Sequence, residues 1–295
     1  MKESDMIVGI GELLWDMLPE GRKPGGAPAN FAYHISQFGL RGTVVSAVGS
    51  DEPGDSILHI LDAGRIGRSV ARVSYPTGSV AVSLDGAGVP QYDIKENVAW
   101  DNIPFTSELQ SLARNTRVVC FGSLARRSPV SYETIGRFLD SMPRDRGDLL
   151  SVFDINLRQH YFSKALVEDS VSRCNVLKIN DEELNIVRPM LGLPDGGDES
   201  ACAALIDRYE LKLLILTCGV NGSYVFGRDF RSYIPTPRVV VADTVGAGDS
   251  FTAAFVASLI KGKDVRQAHE TAVAVSAYVC SCHGAMPVLP QHLVC

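Results

Sequence analysis

What this sequence lacks narrows it first. Its 295 residues carry no basic excess, and the formal charge is −6 at pH 7. That argues against a nucleic-acid groove or an anionic membrane surface as the main partner, since either calls for a positive face. No stretch reaches the roughly 18 consecutive apolar residues of a membrane span. The opening 1-MKESDMIVGIGELLWDM-17 has an apolar segment too short and too acidic for a signal peptide, so the expected location is the cytoplasm. Paired cysteine spacing is missing as well. The seven cysteines run from Cys120 to Cys295 without a C-x-x-C, an odd number that offers no disulfide framework. Even 280-CSCH-283 sets its cysteines only two apart with no second ligand pair, which points to buried, reduced thiols. Internal repeats, low-complexity tracts and linkers are absent too. Any anionic ligand must therefore be held by local devices.

The composition is ordinary, 45% hydrophobic and 21% charged, enough for one large α/β domain or two smaller ones. Short β-rich runs alternate with helical patterns. Candidate strands are 6–11, 43–49, 117–122, 149–154, 175–180 and 213–219; candidate helices are 27–39, 53–64, 131–142, 181–191 and 200–210. The alternation predicts a mainly parallel sheet with helices on both faces. Between about 70 and 98 the rhythm breaks. Pro76-Thr77-Gly78 and Asp85-Gly86-Ala87-Gly88 read as turns joining strands with no helix between them, which predicts a small separate sheet. Segment 12–19 reads as a further strand of it, and the chain closes on two helices, 249–262 and 264–282.

Polar residues collect at the ends of the predicted strands, where ligands gather in open α/β sheets. They are Asp16, the run 25-GGAPAN-30, 154-DINLR-158, 180-NDEE-183, 217-TCG-219 and 243-DTVGAGDSF-251. The last places Asp249 at a helix mouth beside Gly246, Ala247 and Gly248. Free N–H groups and the positive helix end make such a mouth an anion site, and small residues let a phosphate approach. A carboxylate there also suits a plain helix cap. Gly25-Gly26 alone reads equally as a turn, Asn180 with Glu183 as a relative of a capping box, and Arg158 as a solvated ion-pair partner.

Taken together, DTVGAGDSF and GGAPANFA resemble the two signatures of the PfkB (ribokinase-like) carbohydrate kinases. LKINDEE, DINLR and LTCGVNGS fall in that family's order, so the resemblance spans essentially the whole chain, and GELLWDMLP before GGAPANFAYH looks most like bacterial fructokinases. The resemblance implies a ribokinase-like three-layer α/β/α sandwich over residues 1–295, with a mainly parallel central sheet and a small β-sheet lid from about 12–19 and 70–98. It implies ATP-dependent phosphorylation of a sugar hydroxyl, D-fructose to fructose 6-phosphate, with Asp249 as base and Gly246, Ala247 and Gly248 as anion hole. Asp16, Gly26, Asn30 and Arg158 would bind sugar. Asn180, Glu183, Thr217 and Gly219 would serve the nucleotide, with Glu183 holding Mg²⁺ through water. Asp243, Val245 and Ala285 would hold K⁺. Tyr92 or Phe105 would shape the implied sugar pocket, with plain packing as the other reading of both. The implied partners are sugar and ATP, without nucleic acid or membrane, and a homodimer through the lid.

Two positions depart from the family pattern: Ile155 replaces a common proline, and Cys218 an aliphatic or small residue. Related acceptors, namely 2-keto-3-deoxygluconate, ribose or a nucleoside, remain open. A non-catalytic sugar sensor would be expected to have lost the base or the anion hole, and both are here. A nicotinamide dehydrogenase is disfavoured because 9-GIGELL-14 lacks the full G-x-G-x-x-G fingerprint.

Overall fold

The computed structural model describes residues 6–18, 21–84, 90–143 and 147–294, with backbone alone at 18, 82–84 and 90–92. The expected turn at Asp85 to Gly88 and the Tyr92 side chain lie outside the described residues. In chain order the strands are β1 (Met6–Ile10), β2 (Leu14–Leu18), β3 (Gly21–Gly25), β4 (Gly42–Gly49), β5 (Gly67–Val73), β6 (Gly78–Leu84), β7 (Pro90–Ile94), β8 (Thr116–Phe121), β9 (Leu150–Asp154), β10 (Val176–Asn180), β11 (Leu213–Thr217), β12 (Ser223–Phe226) and β13 (Arg231–Ile234). The helices are α1 (Ala27–Gln37), α2 (Glu52–Ala63), α3 (Ser107–Arg114), α4 (Pro129–Ser141), α5 (Lys164–Ser172), α6 (Asp181–Leu191), α7 (Asp198–Tyr209), α8 (Ala247–Ile260), α9 (Val265–Cys280) and the short α10 (Gln291–Val294).

A nine-stranded sheet runs in the order β13-β12-β11-β10-β9-β8-β1-β4-β5. It is parallel from β11 to β5 and closes on the antiparallel pair β12 and β13. Its central strands are apolar on both faces, as a parallel sheet covered by helices demands. All eight residues of β4 are buried. In β8, Val118 and Cys120 pack with Phe31 of α1, Phe255 of α8 and Val273 of α9, while Val119 and Phe121 pack with Ile135 of α4 and Leu184 of α6. Helices therefore cover both faces, making three layers. From β1 the chain steps to β4 on one side and later returns to β8 on the other. The carboxyl ends of β1 and β8 thus flank the topological switch point, where open α/β sheets place ligands.

A second sheet, in the order β3-β2-β6-β7, stands apart from the first. Its middle pair β2 and β6 is parallel and its outer pairs are antiparallel. Two details correct the sequence expectation. Residues 70–73 belong to β5, which pairs with β4 in the large sheet, because α2 supplies the crossover that a parallel strand needs. The small sheet instead gains β3, a segment with no apolar alternation to announce it. It is anchored at several points. The Asp51 carboxylate caps α2 through Gly54 N at 2.9 Å and also accepts from Thr77 N at 2.8 Å, just before β6. Trp15 of β2 donates to Pro53 O at 3.0 Å. On the other flank Arg127 lies between the rings of Trp100 and Tyr161 and pairs with Asp101 at 2.9 Å.

Candidate active site

The site begins with α8. Its N-cap Gly246 has φ 77°, a left-handed backbone that costs glycine little, and the helix then runs apolar on all sides between α1 and α9. The small residues of this turn are constrained from the protein side. A Cβ on Gly246 would lie 2.6 Å from the Ala285 Cβ, and one on Gly248 would lie 2.9 Å from Lys178 Nζ. Ala285 therefore closes the space at Gly246, while at Gly248 the near neighbour is the end of the Lys178 side chain.

Asp249, in the first turn, accepts a 2.7 Å hydrogen bond on Oδ2 from Asn30 Nδ2. The amide must face the carboxylate with its NH₂, since a carboxylate only accepts. Asn30 Oδ1 is buried with no partner among the described residues, and so is Glu12 Oε2. Burial pushes the Asp249 carboxyl up and the Asp154 charge adds to this, while Asn30, Lys178 and Arg158 pull it down. Glu12, on the loop leaving β1, is raised to about 7 by burial, with the Asp249 charge contributing.

The predicted sugar-side residues converge on this point. Asp16 of β2 lies against the next strand, with Oδ2 only 2.2 Å from where a Gly25 Cβ would be. Its carboxyl is raised to about 6, first by burial and then by Asp243 and Asp249, against Arg158. Asp16 thus feels the charges of both other aspartates and of the arginine. Gly26 caps α1 at φ 111°, and a Cβ there would meet the Glu12 carbonyl oxygen at 2.3 Å. Arg158 is exposed on the loop after β9, flanked by Asn156 at φ 43° and Gln159 at φ 48°. Such left-handed non-glycine residues mark a segment held in place by its surroundings.

What holds it is Glu183. The capping-box reading of Asn180 and Glu183 is realised, with Glu183 N donating to Asn180 Oδ1 at 2.7 Å and Asn180 N to Glu183 Oε2 at 3.0 Å. The other oxygen, Oε1, accepts from Leu157 N at 3.0 Å and so ties the Arg158 loop to α6. Of the residues expected to serve a nucleotide, Thr217 ends β11 and Gly219 opens a tight turn. The Gly219 carbonyl accepts from Thr236 Oγ1 at 2.5 Å, joining that turn to the loop that leads to Asp243. Val220 and Val240 on these two loops are 88% and 89% exposed. Asp243 bridges the turn, accepting from Val245 N at 3.0 Å and Gly284 N at 3.1 Å, and Ala285 O pairs with His34 Nε2 at 2.9 Å. Phe105 packs on the core and lies under the Arg137 guanidinium, which is the packing reading of that residue.

Sequence reasoning gave no role to the buried group below the site. Lys178 of β10 stands opposite Asp154 of β9 in the parallel register, and Nζ donates to Asp154 Oδ1 at 3.0 Å. The other Asp154 oxygen accepts from Thr252 Oγ1 of α8 at 3.1 Å. Burial alone would lower the Lys178 ammonium, but Asp154 and Glu183 more than reverse it, so the charge persists. A lysine inside the apolar run VLKIN was the available signal. A crevice bounded by Pro28, Cys120, Gly122, Asp154 and Asp249 opens at the switch point. A larger cavity of about 290 Å³ lies at the amino ends of β9 and β10, lined by Ser151, Arg173 and Asn175, away from all these residues.

Comparison with known proteins identifies the family and the fold. The profile described as pfkB family carbohydrate kinase matches residues 20–292. "Probable fructokinase-4" of Arabidopsis thaliana is 30% identical, with 98% of this chain and 94% of that protein covered. "Putative sugar kinase PH1459" of Pyrococcus horikoshii is 28% identical, with 88% of this chain and 84% of that protein covered. Its crystal structure superposes with a TM-score of 0.80 over 95% of this chain and 93% of that one, and it has also been solved in complex with ATP. Fructokinase from Vibrio cholerae, bound to fructose, ADP and calcium, shares the fold at TM-score 0.80 and 22% identity, with 99% and 98% covered. The chain belongs to the pfkB family of carbohydrate kinases, with the ribokinase-like α/β fold.

Proposed function

We propose that this kinase transfers the γ-phosphoryl of ATP to the 6-hydroxyl of fructose, with Asp249 as general base. The carrying observation is the Asn30 to Asp249 hydrogen bond of 2.7 Å at the mouth of α8. It pins one carboxylate oxygen and leaves the other without a partner among the described residues, beside the N–H groups of the helix start. The choice of fructose rests on the relatives named fructokinases, the acceptor chemistry on the site itself.

A polyol fits the sugar side. The Asp16 carboxylate accepts from paired hydroxyls, and the unpartnered Asn30 Oδ1 accepts from another. Arg158 donates to sugar oxygens from its constrained loop, and Gly26 lets the chain approach Glu12 closely. Asp249 then takes the proton of the attacking hydroxyl while that oxygen bonds to the γ-phosphorus and the bond to the ADP oxygen breaks. The N–H groups of Gly246, Ala247 and Gly248 face the charge on the transferring group. Thr217 and Gly219 line the nucleotide, with exposed Val220 and Val240 as apolar cover for its base.

Both implied cations fit their donors. Each Glu183 oxygen accepts a single backbone N–H and keeps a lone pair, so with Asn180 it can hold a water of Mg²⁺. Magnesium held there with ATP would supply positive charge to offset that of the phosphates. Asp243 with the carbonyls of Val245 and Ala285 is an all-oxygen set suited to K⁺ beside the helix mouth. The small sheet carrying Asp16 serves as the lid that excludes water.

The test is an ADP-release assay with Mg-ATP and potassium against fructose, ribose, 2-keto-3-deoxygluconate, tagatose and adenosine. Fructose is expected to support turnover. Turnover with another acceptor alone reassigns the sugar, and silence with all five sinks the kinase reading.

A further inference from the structure

Among the described residues, Lys178 is the one buried ammonium, and the reaction above leaves it unused. Its side chain is 8% exposed, and its only hydrogen-bond acceptor among the described residues is Asp154 Oδ1 at 3.0 Å. An ammonium has three N–H donors, so two are unspent in a setting where unspent donors are costly. The group is also placed with care. Register sets Lys178 directly across from Asp154, Thr252 of α8 holds the other Asp154 oxygen, and Nζ occupies the space that a Cβ on Gly248 would need. A buried ion pair between neighbouring strands can usually be replaced by apolar residues without loss of stability. This one reaches sideways to the first turn of α8 instead.

We infer that Lys178 is a positioning residue for phosphoryl transfer. Fixed by Asp154 in the space left by Gly248, its ammonium puts a permanent positive charge under the anion-hole turn and beside Asp249. Asn30 from α1 bonds Asp249, and the groups coupled to it by charge are Glu12 from the loop after β1, Asp16 from β2, Asp154 from β9, Arg158 from the following loop and Lys178 from β10. Of the two cations, Lys178 alone is buried, so its field is the less screened. The charge gains most when negative charge builds on the transferring phosphoryl, and so it acts on kcat rather than on sugar affinity.

The inference rests on the kinase reading, and the experiment separates the two. Asp154→Asn is compared with the charge-balanced pair Asp154→Asn/Lys178→Met, because Lys178→Met alone leaves a buried carboxylate unpaired and risks failing to fold. The expected result is a kcat about 10²-fold lower in the double variant than in Asp154→Asn, with KM for the sugar within about threefold. Equal kcat in the two would mean that Lys178 only neutralises Asp154, and the inference would be overturned with the kinase reading intact. A loss confined to KM would overturn it as well. Wild-type protein silent toward every acceptor, with Asp249→Asn no different, would overturn the kinase reading and this inference with it.

Discussion

The two sheets are built on opposite plans. In the large sheet β4 is buried along its whole length, and its neighbours carry the side chains of both cores. In the small sheet β3 is exposed at Gly21 and Arg22 and reaches full burial only at Gly25, while Met17 of β2 is 44% exposed. The large sheet supplies Asp154, Lys178 and Asn180 at fixed spacing, and its switch point holds Asn30 against Asp249. The small sheet supplies Asp16 and joins the body through Trp15 to Pro53, Thr77 to Asp51 and Gly49, and the buried side chains of Leu14, Val80 and Ile94. On the proposed reading the chemistry sits on the large sheet and the closing surface on the small one, a division that suits a kinase that must exclude water and then release product.

The sharpest way to test this division is to remove the base without disturbing either sheet. Asp249→Asn keeps the shape and the Asn30 contact, so kcat should fall by roughly 10²–10⁴-fold with fructose affinity largely retained. Steady-state kinetics with fructose titration decide it, and a loss under about tenfold would remove Asp249 from the base role. The structural half of the comparison is tested by truncation. Ile179→Ala in β10 opens a cavity beside Leu184 and should cost about 2–5 kcal/mol, whereas Met17→Ala on the small sheet should cost under about 0.5 kcal/mol. Similar losses in urea unfolding would show that the two sheets are not held differently.

Most of the large sheet was legible because its strands are apolar runs between turn residues and its helices repeat at helical period. The boundary with the small sheet was not. β5 reads GRSVARV, largely half-exposed, because it is the edge of the large sheet, and an edge strand resembles a lid strand in composition. Strand β3, GRKPG, has no pattern of its own and is ordered by pairing with β2 and by Arg22 lying 4.5 Å over Trp15. In the site, Asp249, Asn30 and the Asn180–Glu183 pair stood out as motif positions. Lys178 and Glu12 did not, because their roles come from register and burial. Asp154 lies 24 positions before Lys178, and only the parallel pairing of β9 with β10 brings them together.

The buried carboxyls of the site carry a pH signature that links the two sheets. Glu12 is raised from 4.5 to about 7 by burial, and Asp16 from 3.8 to about 6. A raised folded pKa means that the native state holds its proton more tightly than the unfolded chain. The stability from Glu12 is therefore full below its unfolded value and is lost as pH rises toward 7, by about 3 kcal/mol in all. Glu12→Gln removes that titration, so stability should fall less between pH 5 and pH 8, and the variant should exceed wild type at the upper end. Asp16 still contributes a smaller fall of the same sign, centred lower. Urea midpoints across this range give the answer, and parallel wild-type and variant curves would contradict the burial of Glu12.

The smallest effect concerns the joint between the sheets. Tyr161, on the loop after β9, shares its one hydroxyl proton between the Ile94 carbonyl at 3.2 Å and Glu96 Oε1 at 2.9 Å, while its ring lies 4.4 Å from the Arg127 guanidinium. Ile94 ends β7, so this hydroxyl joins the small sheet to the segment that carries Arg158. Tyr161→Phe keeps the ring against Arg127 and removes only the hydroxyl. The loss should be near the net value of one hydrogen bond, about 1 kcal/mol, which is roughly a fivefold change in an equilibrium. Because the bond spans the joint and touches no reacting atom, the change should appear as a higher KM for the sugar and more ATP hydrolysis without acceptor, with kcat nearly unchanged. A fall in kcat at constant KM would place Tyr161 with the rigid chemistry instead. The small sheet would then be part of the catalytic frame, and the division between the two sheets would fail at this joint.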